Sequence, residues 1–172
     1  IAELFGRADG IASPQLSPTG TRLAIECAPN GLPSLCVFDL TAATESALLG
    51  LDSTYRLKDF FWASDDRLIF RFGVFERLQT QSGMREFEVW RAVSYDVNSG
   101  KSTMLMNDMR GMVDTSDVVS LLTQDPEKVL TLGWVYDGGA TSGTIMPTQA
   151  TGGWLPRTFA VNLKTGKSRK VE

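Results

Sequence analysis

Apolar and polar residues alternate with a period of two along much of the chain, and no stretch sustains the three-to-four spacing of an amphipathic helix. Leu23, Ile25 and Cys27 fall on one side of a predicted strand, and Cys36, Phe38 and Leu40 on one side of the next. Leu48-Leu49 and Met104-Leu105-Met106 are too short to make a helical face, while abundant Thr, Val and Phe favour strands. The pattern predicts three groups of four strands. The first covers about Ile11 to Ser17, Arg22 to Ala28, Ser34 to Thr41 and Glu45 to Gly50. The second covers about Tyr55 to Trp62, Arg67 to Glu76, Phe87 to Val97 and Ser102 to Asn107. The third covers about Asp117 to Thr123, Lys128 to Tyr136, Arg157 to Leu163 and Ser168 to Val171.

These groups are repeats. Ser17-Pro18-Thr19-Gly20-Thr21-Arg22-Leu23-Ala24-Ile25, Trp62-Ala63-Ser64-Asp65-Asp66-Arg67-Leu68-Ile69-Phe70 and Thr123-Gln124-Asp125-Pro126-Glu127-Lys128-Val129-Leu130-Thr131 each join a turn to a basic residue and then a strand. Pro presets φ, Gly and Asp tolerate turn dihedrals, and the basic side chain is expected at the solvated start of the strand. Later in each group comes a second element: Val37 to Thr41, Ser94 to Ser102, and Ala160 to Ser168. The last two both run through a polar turn into Gly-Lys-Ser, the signature of a tight turn with Gly at positive φ. Consecutive four-stranded antiparallel units read as an all-β fold, a partial β-propeller of about three blades spanning 8–52, 53–110 and 111–172. A three-blade arc leaves both terminal faces open, so association through them is expected.

A regular hairpin through Ala28 to Pro33 is read as setting position 27 opposite 36, 25 opposite 38 and 23 opposite 40. Cys27 and Cys36 would then fall within the Cα separation of about 4.4–6.8 Å that a disulfide needs. Two readings stand for the pair: a cross-strand disulfide in an oxidising compartment, or two small buried thiols.

Composition narrows the chemistry. The 172 residues contain no His, which removes imidazole as nucleophile activator, general base or metal ligand within this chain. Two Cys cannot complete a structural zinc site, no calcium-loop spacing occurs, and G-x-S-x-G, S-x-x-K, G-x-G-x-x-G and Walker A patterns are all missing. No catalytic residue, cofactor or metal is expected. With 17 Lys+Arg against 20 Asp+Glu the net charge is −3, against a nucleic-acid partner. Apolar runs such as Leu35-Cys36-Val37-Phe38 fall far short of the roughly 20 residues that cross a bilayer, so no membrane helix is expected.

Three features have competing readings. Asp137 to Pro156, rich in Gly, Thr and Ser with Met146 and Trp154 as its apolar anchors, reads as a disordered or adaptable loop, with substrate gating as the alternative. Gly73 to Arg85, with Glu76, Arg77, Arg85, Glu86 and Glu88 in or near it, reads as a solvated long hairpin or a contact to another domain. Asp65-Asp66 reads as a turn rather than a carboxylate pair, because adjacent turn residues point apart. Phe60 and Trp62 alternate with Phe61, so at least one of those faces should pack between blades, whereas Lys101 and Lys167 should stay solvated.

Leu16-Ser17-Pro18-Thr19-Gly20-Thr21-Arg22-Leu23-Ala24 resembles the L-S-P-D-G-x-x-[ILV]-A signature of blades in the N-terminal propeller of prolyl oligopeptidase-type serine peptidases and in TolB-like propellers. Phe61 to Ile69 is similar to their W-x-x-D-D-x-L-[IL] form, Tyr95-Asp96-Val97-Asn98-Ser99-Gly100-Lys101 to their Y-D-V-x-T-G-K turn, and Leu4-Phe5-Gly6-Arg7 to their lead-in. The resemblance, to dipeptidyl aminopeptidase and acylaminoacyl peptidase-like members, implies a noncatalytic segment that gates short peptides toward a C-terminal α/β-hydrolase domain lying outside this chain. That domain and short peptides are the implied partners. This chain departs from the family pattern in holding about three blades and no hydrolase motif, so it reads as the first part of a larger protein. A TolB-like protein-binding module is the alternative. A removed leader together with the two apposed Cys leans toward a periplasmic or secreted location, with the cytoplasm as alternative.

Overall fold

The computed structural model describes residues 11–50, 55–80, 83–109, 117–122, 124–137 and 153–171. The fold is all-β: three four-stranded antiparallel sheets, each a meander of consecutive strands, arranged as an unclosed, propeller-like stack. Sheet 1 holds β1 (Ile11–Leu16), β2 (Arg22–Cys27), β3 (Ser34–Asp39) and β4 (Thr44–Gly50). Sheet 2 holds β5 (Arg56–Ser64), β6 (Arg67–Thr80), β7 (Gly83–Asp96) and β8 (Lys101–Met104). Sheet 3 holds β9 (Asp117–Leu121), β10 (Lys128–Asp137), β11 (Gly153–Asn162) and β12 (Ser168–Lys170).

The core lies in two seams between sheets. Ala24, Leu35 and Val37 of sheet 1 pack against Phe60, Trp62, Leu68 and Tyr95 of sheet 2. On the other face of sheet 2, Ile69, Ala92, Leu105 and Met106 pack against Val129, Phe159, Val161 and Leu163 of sheet 3. Sheet 2 is therefore covered on both sides, which explains the unbroken apolar run Phe60-Phe61-Trp62. Phe60 and Trp62 enter the first seam and Phe61 packs against the second. Each large side chain so buried stabilises the fold by about 1.5–3 kcal/mol.

One turn recurs in every sheet. Asp39, Asp96 and Asn162 close the third strand, and each side chain accepts backbone N–H groups from the turn that follows. Asp39 takes the amides of Thr41 and Ala42, Asp96 that of Ser99, and Asn162 those of Lys164 and Thr165. The fourth residue after the capping one then adopts positive φ: Gly100 at 70° and Gly166 at 72°, but Ala43 at 53° in sheet 1. A Cβ is disfavoured there by roughly 1–2 kcal/mol, part of which glycine returns as backbone entropy. Ala43→Gly is accordingly expected to raise stability by about 0.5–1 kcal/mol, read as a shifted urea midpoint at unchanged slope.

Three expectations are corrected. The β2–β3 register places Ile25 opposite Cys36 and Cys27 opposite Ser34, two residues from the predicted alignment. A connection of Ala28 to Pro33, compacted by a single 3-10 turn at Pro29–Gly31, leaves Cys27 and Ser34 as the closing pair. The basic residues that open the second strands are not simply solvated: Arg22 and Arg67 are largely covered and bridge the seams. Strand also extends beyond its predicted ends. β6 and β7 pair from Arg67↔Asp96 to Thr80↔Gly83, and β11 starts at Gly153, so Pro156 lies in a strand opposite Trp134. Met146 and the Leu4–Arg7 lead-in fall outside the described residues.

Candidate functional site

The polar side chains concentrate where the turns of neighbouring sheets meet. Arg22, at the start of β2, donates through Nη1 to the Asp65 carbonyl at 2.9 Å and to Asp66 Oδ1 at 2.8 Å. Its Nη2 donates to Asn98 Oδ1 at 2.7 Å, so one guanidinium spans two turns of sheet 2. Thr19 reinforces the clasp, its amide and hydroxyl both donating to Asp65 Oδ1 at 3.0 and 2.7 Å. Asp65 and Asp66 are thus turn residues with separate partners, which gives them no shared proton for acid-base work. Trp62 Nε1 donates to the Gln15 carbonyl at 3.0 Å, tying the buried indole to β1.

The second seam repeats the device. Arg67 occupies the place of Arg22, pairing with Asp96 at 2.6 Å and reaching the Leu163 carbonyl of sheet 3 at 3.4 Å. Asn107 Nδ2 donates to the Thr165 carbonyl at 2.9 Å, and Asp108 accepts the amide and hydroxyl of Ser168. Arg71 pairs with Asp59 in its own sheet and with Asp117 of sheet 3 at 3.2 Å. A planar, permanently charged guanidinium can satisfy several acceptors at once, which suits Arg to these junctions better than Lys.

Three carboxyls in the turns are held below the usual value of 3.8. For Asp39 the chief cause is the Thr41 hydroxyl, for Asp65 the Thr19 amide, and for Asp96 the Ser99 amide. Burial pushes the Tyr95 phenol up. Because the folded chain favours the ionised carboxylates, their contribution is present above the unfolded value of 3.8 and is lost as pH falls through the lowered folded values. Thermal midpoints are expected to stay level near neutrality and fall below about pH 4, with a shallower acid limb in Asp96→Asn. A scan of midpoint against pH checks this.

Thr131 is buried in the second seam with its hydroxyl unpartnered. Thr131→Val, which keeps the shape and removes the orphaned group, is expected to raise stability by up to about 1 kcal/mol, read as a higher urea midpoint.

Cys27 and Cys36 form a disulfide with Cα atoms 6.0 Å apart. The pair is diagonal across the β2–β3 hairpin, on the face of sheet 1 turned away from sheet 2, beside Ile25. The β6–β7 hairpin runs on past the part of its sheet that β5 and β8 cover. Arg56–Glu88 and Arg91–Glu76 ion pairs lie on it, Lys58 Nζ sits 5.1 Å from the Trp90 ring, and Phe75 and Met84 are exposed. Lys101 and Lys167 are exposed as well.

Among the described residues no group of three or more His, Cys, Asp or Glu side chains is gathered for a metal. The inter-sheet roles of Arg22, Arg67, Arg71, Asn98 and Asp108 were not foreseen from sequence, although a basic residue after each turn was visible there. No family model matches the chain, and no curated protein does.

Proposed function

We propose that this chain is a noncatalytic wall of a larger serine peptidase of the prolyl oligopeptidase type, limiting an α/β-hydrolase active site outside the chain to short peptides. The observation that carries the reading is the coincidence of the blade motifs with the seams. Thr19 and Arg22 of the L-S-P-D-G-like segment hold Asp65 and Asp66 of the W-x-x-D-D-like segment. Asn98 of the Y-D-V-like turn completes the same clasp. Sheets locked at their turns suit a stiff barrier whose opening decides substrate size. The disulfide supports a periplasmic or secreted setting, since such bonds persist in oxidising compartments.

The test is the parent gene product, assayed on short chromogenic peptides and on an unfolded protein substrate. Preference for the short peptides, with a downstream G-x-S-x-G serine and a later His, supports the reading. A parent protein lacking that serine and His overturns it. Cleavage of both substrates at equal rates removes the gating role. The second reading, a protein-binding module, is favoured by one feature, the projecting β6–β7 arm with its exposed Phe75 and Met84.

A further inference from the structure

The β11–β12 hairpin carries charge of one sign only. Residues 153–171, which form β11, the closing turn and β12, hold Arg157, Lys164, Lys167, Arg169 and Lys170 and no carboxylate, although the whole chain is net −3. β12 is the outer edge of sheet 3, as β4 and β8 are of sheets 1 and 2. After β4 and again after β8 the chain crosses to a new sheet and adds no fifth strand, so an open outer edge is a property of the repeat itself.

A charged edge is a common guard against edge-to-edge pairing. All three edges share that need, but β4 holds no Lys or Arg and β8 holds Lys101 alone. The cations gather instead at the rim of sheet 3. Arg169 and Lys170 are exposed and, as successive strand residues, project to opposite sides of the edge. Lys164 and Lys167 in the turn before them are exposed too. Lys101 joins them from sheet 2, because Thr103, on the same side of β8, donates to the Lys164 carbonyl at 3.3 Å. Two carboxylates already sit here: Asp108 accepts the Ser168 amide and hydroxyl, both at 3.0 Å, and Glu127 pairs with Lys164. Five cations against these two leave the rim positive.

We propose that this rim docks an extended acidic polypeptide segment, its Asp or Glu side chains pairing with Lys101, Lys167, Arg169 and Lys170. Charge complementarity selects an anionic partner, and Asp108 selects a carboxylate, since it shows this edge taking one through a backbone amide and a hydroxyl of Ser168. A strand edge suits an extended chain, whose alternate side chains reach the cations on its two sides. Exposed ion pairs are individually weak and are screened by salt, so several must act together. The inference stands on the placement of charge and not on the peptidase reading.

Fluorescence anisotropy of a dye-labelled oligoglutamate peptide titrated with the 172-residue chain tests it. Saturable binding is expected at about 50 mM salt and should vanish by about 500 mM, where the screening length has fallen to a few ångströms. Arg169→Glu combined with Lys170→Glu should weaken binding at least about tenfold, with circular dichroism and thermal midpoint unchanged because both side chains are exposed. Should that variant fold poorly, Lys101→Glu combined with Lys167→Glu makes the same test. Arg77→Glu, which reverses an exposed cation on the β6–β7 arm, should leave the affinity as it is. A wild-type chain that does not bind the peptide overturns the proposal. So do rim reversals that bind as well as wild type, or an Arg77 reversal as damaging as theirs. Tighter binding to phosphatidylglycerol vesicles than to the peptide would assign the rim to a membrane surface, and overturns it as well.

Discussion

Trp62→Ala is expected to cost about 3–5 kcal/mol, the range for removing a large aromatic from a packed core, and to loosen sheet 1 from sheet 2 ahead of the rest. The indole is 6% exposed, sits among Phe60, Leu68 and Tyr95, and holds its one N–H on the Gln15 carbonyl. Truncation therefore opens a cavity and also leaves that carbonyl without its side-chain donor. Trp62→Phe separates the two effects, since it keeps most of the volume and loses only the hydrogen bond and part of the ring. It should cost roughly 1–2 kcal/mol. Urea denaturation of both variants checks the ordering, and equal losses would mean that the hydrogen bond, not the packing, dominates.

Gly166→Ala is expected to disrupt the second seam by at least about 3 kcal/mol, because positive-φ strain adds to a steric clash. Gly166 sits at φ 72°, and a Cβ built on it would lie 2.0 Å from the Met104 carbonyl oxygen and 2.4 Å from Asn107 Nδ2. The first neighbour is backbone, so the two sheets must separate to make room. Gly100 is the internal control. It holds the same turn position at φ 70°, but its nearest neighbour would be the Tyr95 hydroxyl at 4.0 Å. Gly100→Ala should therefore cost only the conformational part, about 1 kcal/mol. Hydrogen exchange should show protection lost in β10 and β11 for the first variant and retained for the second.

The phase of the repeat was legible because its signals are local. Asp96-Val97-Asn98-Ser99-Gly100 and Asn162-Leu163-Lys164-Thr165-Gly166 spell out a turn in which a short polar side chain caps the backbone and Gly takes positive φ. What lay outside reach was set by contacts between distant residues or by strands with no buried side. The outer part of the β6–β7 hairpin has charges on both faces, Arg77 and Glu86 on one and Glu76 and Arg85 on the other, so the period-two apolar signal that marks a half-buried strand fades there. The start of β11, Gly153-Trp154-Leu155-Pro156, reads locally as loop and becomes strand by pairing along Trp134 to Asp137. The Arg22 clasp joins residues 43 to 76 apart in sequence, and nothing near Arg22 announces Asp65 or Asn98. The offset between Cys27 and Cys36 turned on two residues of hairpin length, finer than alternation resolves.

The meander within each sheet has a bearing on synthesis. Every strand pairs only with its neighbours in sequence, and each seam joins successive sheets. Nothing made early must wait for the chain's last residues before its own hydrogen bonds close. The amino-terminal third, whose Cys27 and Cys36 lie within one hairpin, can set first and offer a template surface to the next third, so that assembly proceeds vectorially.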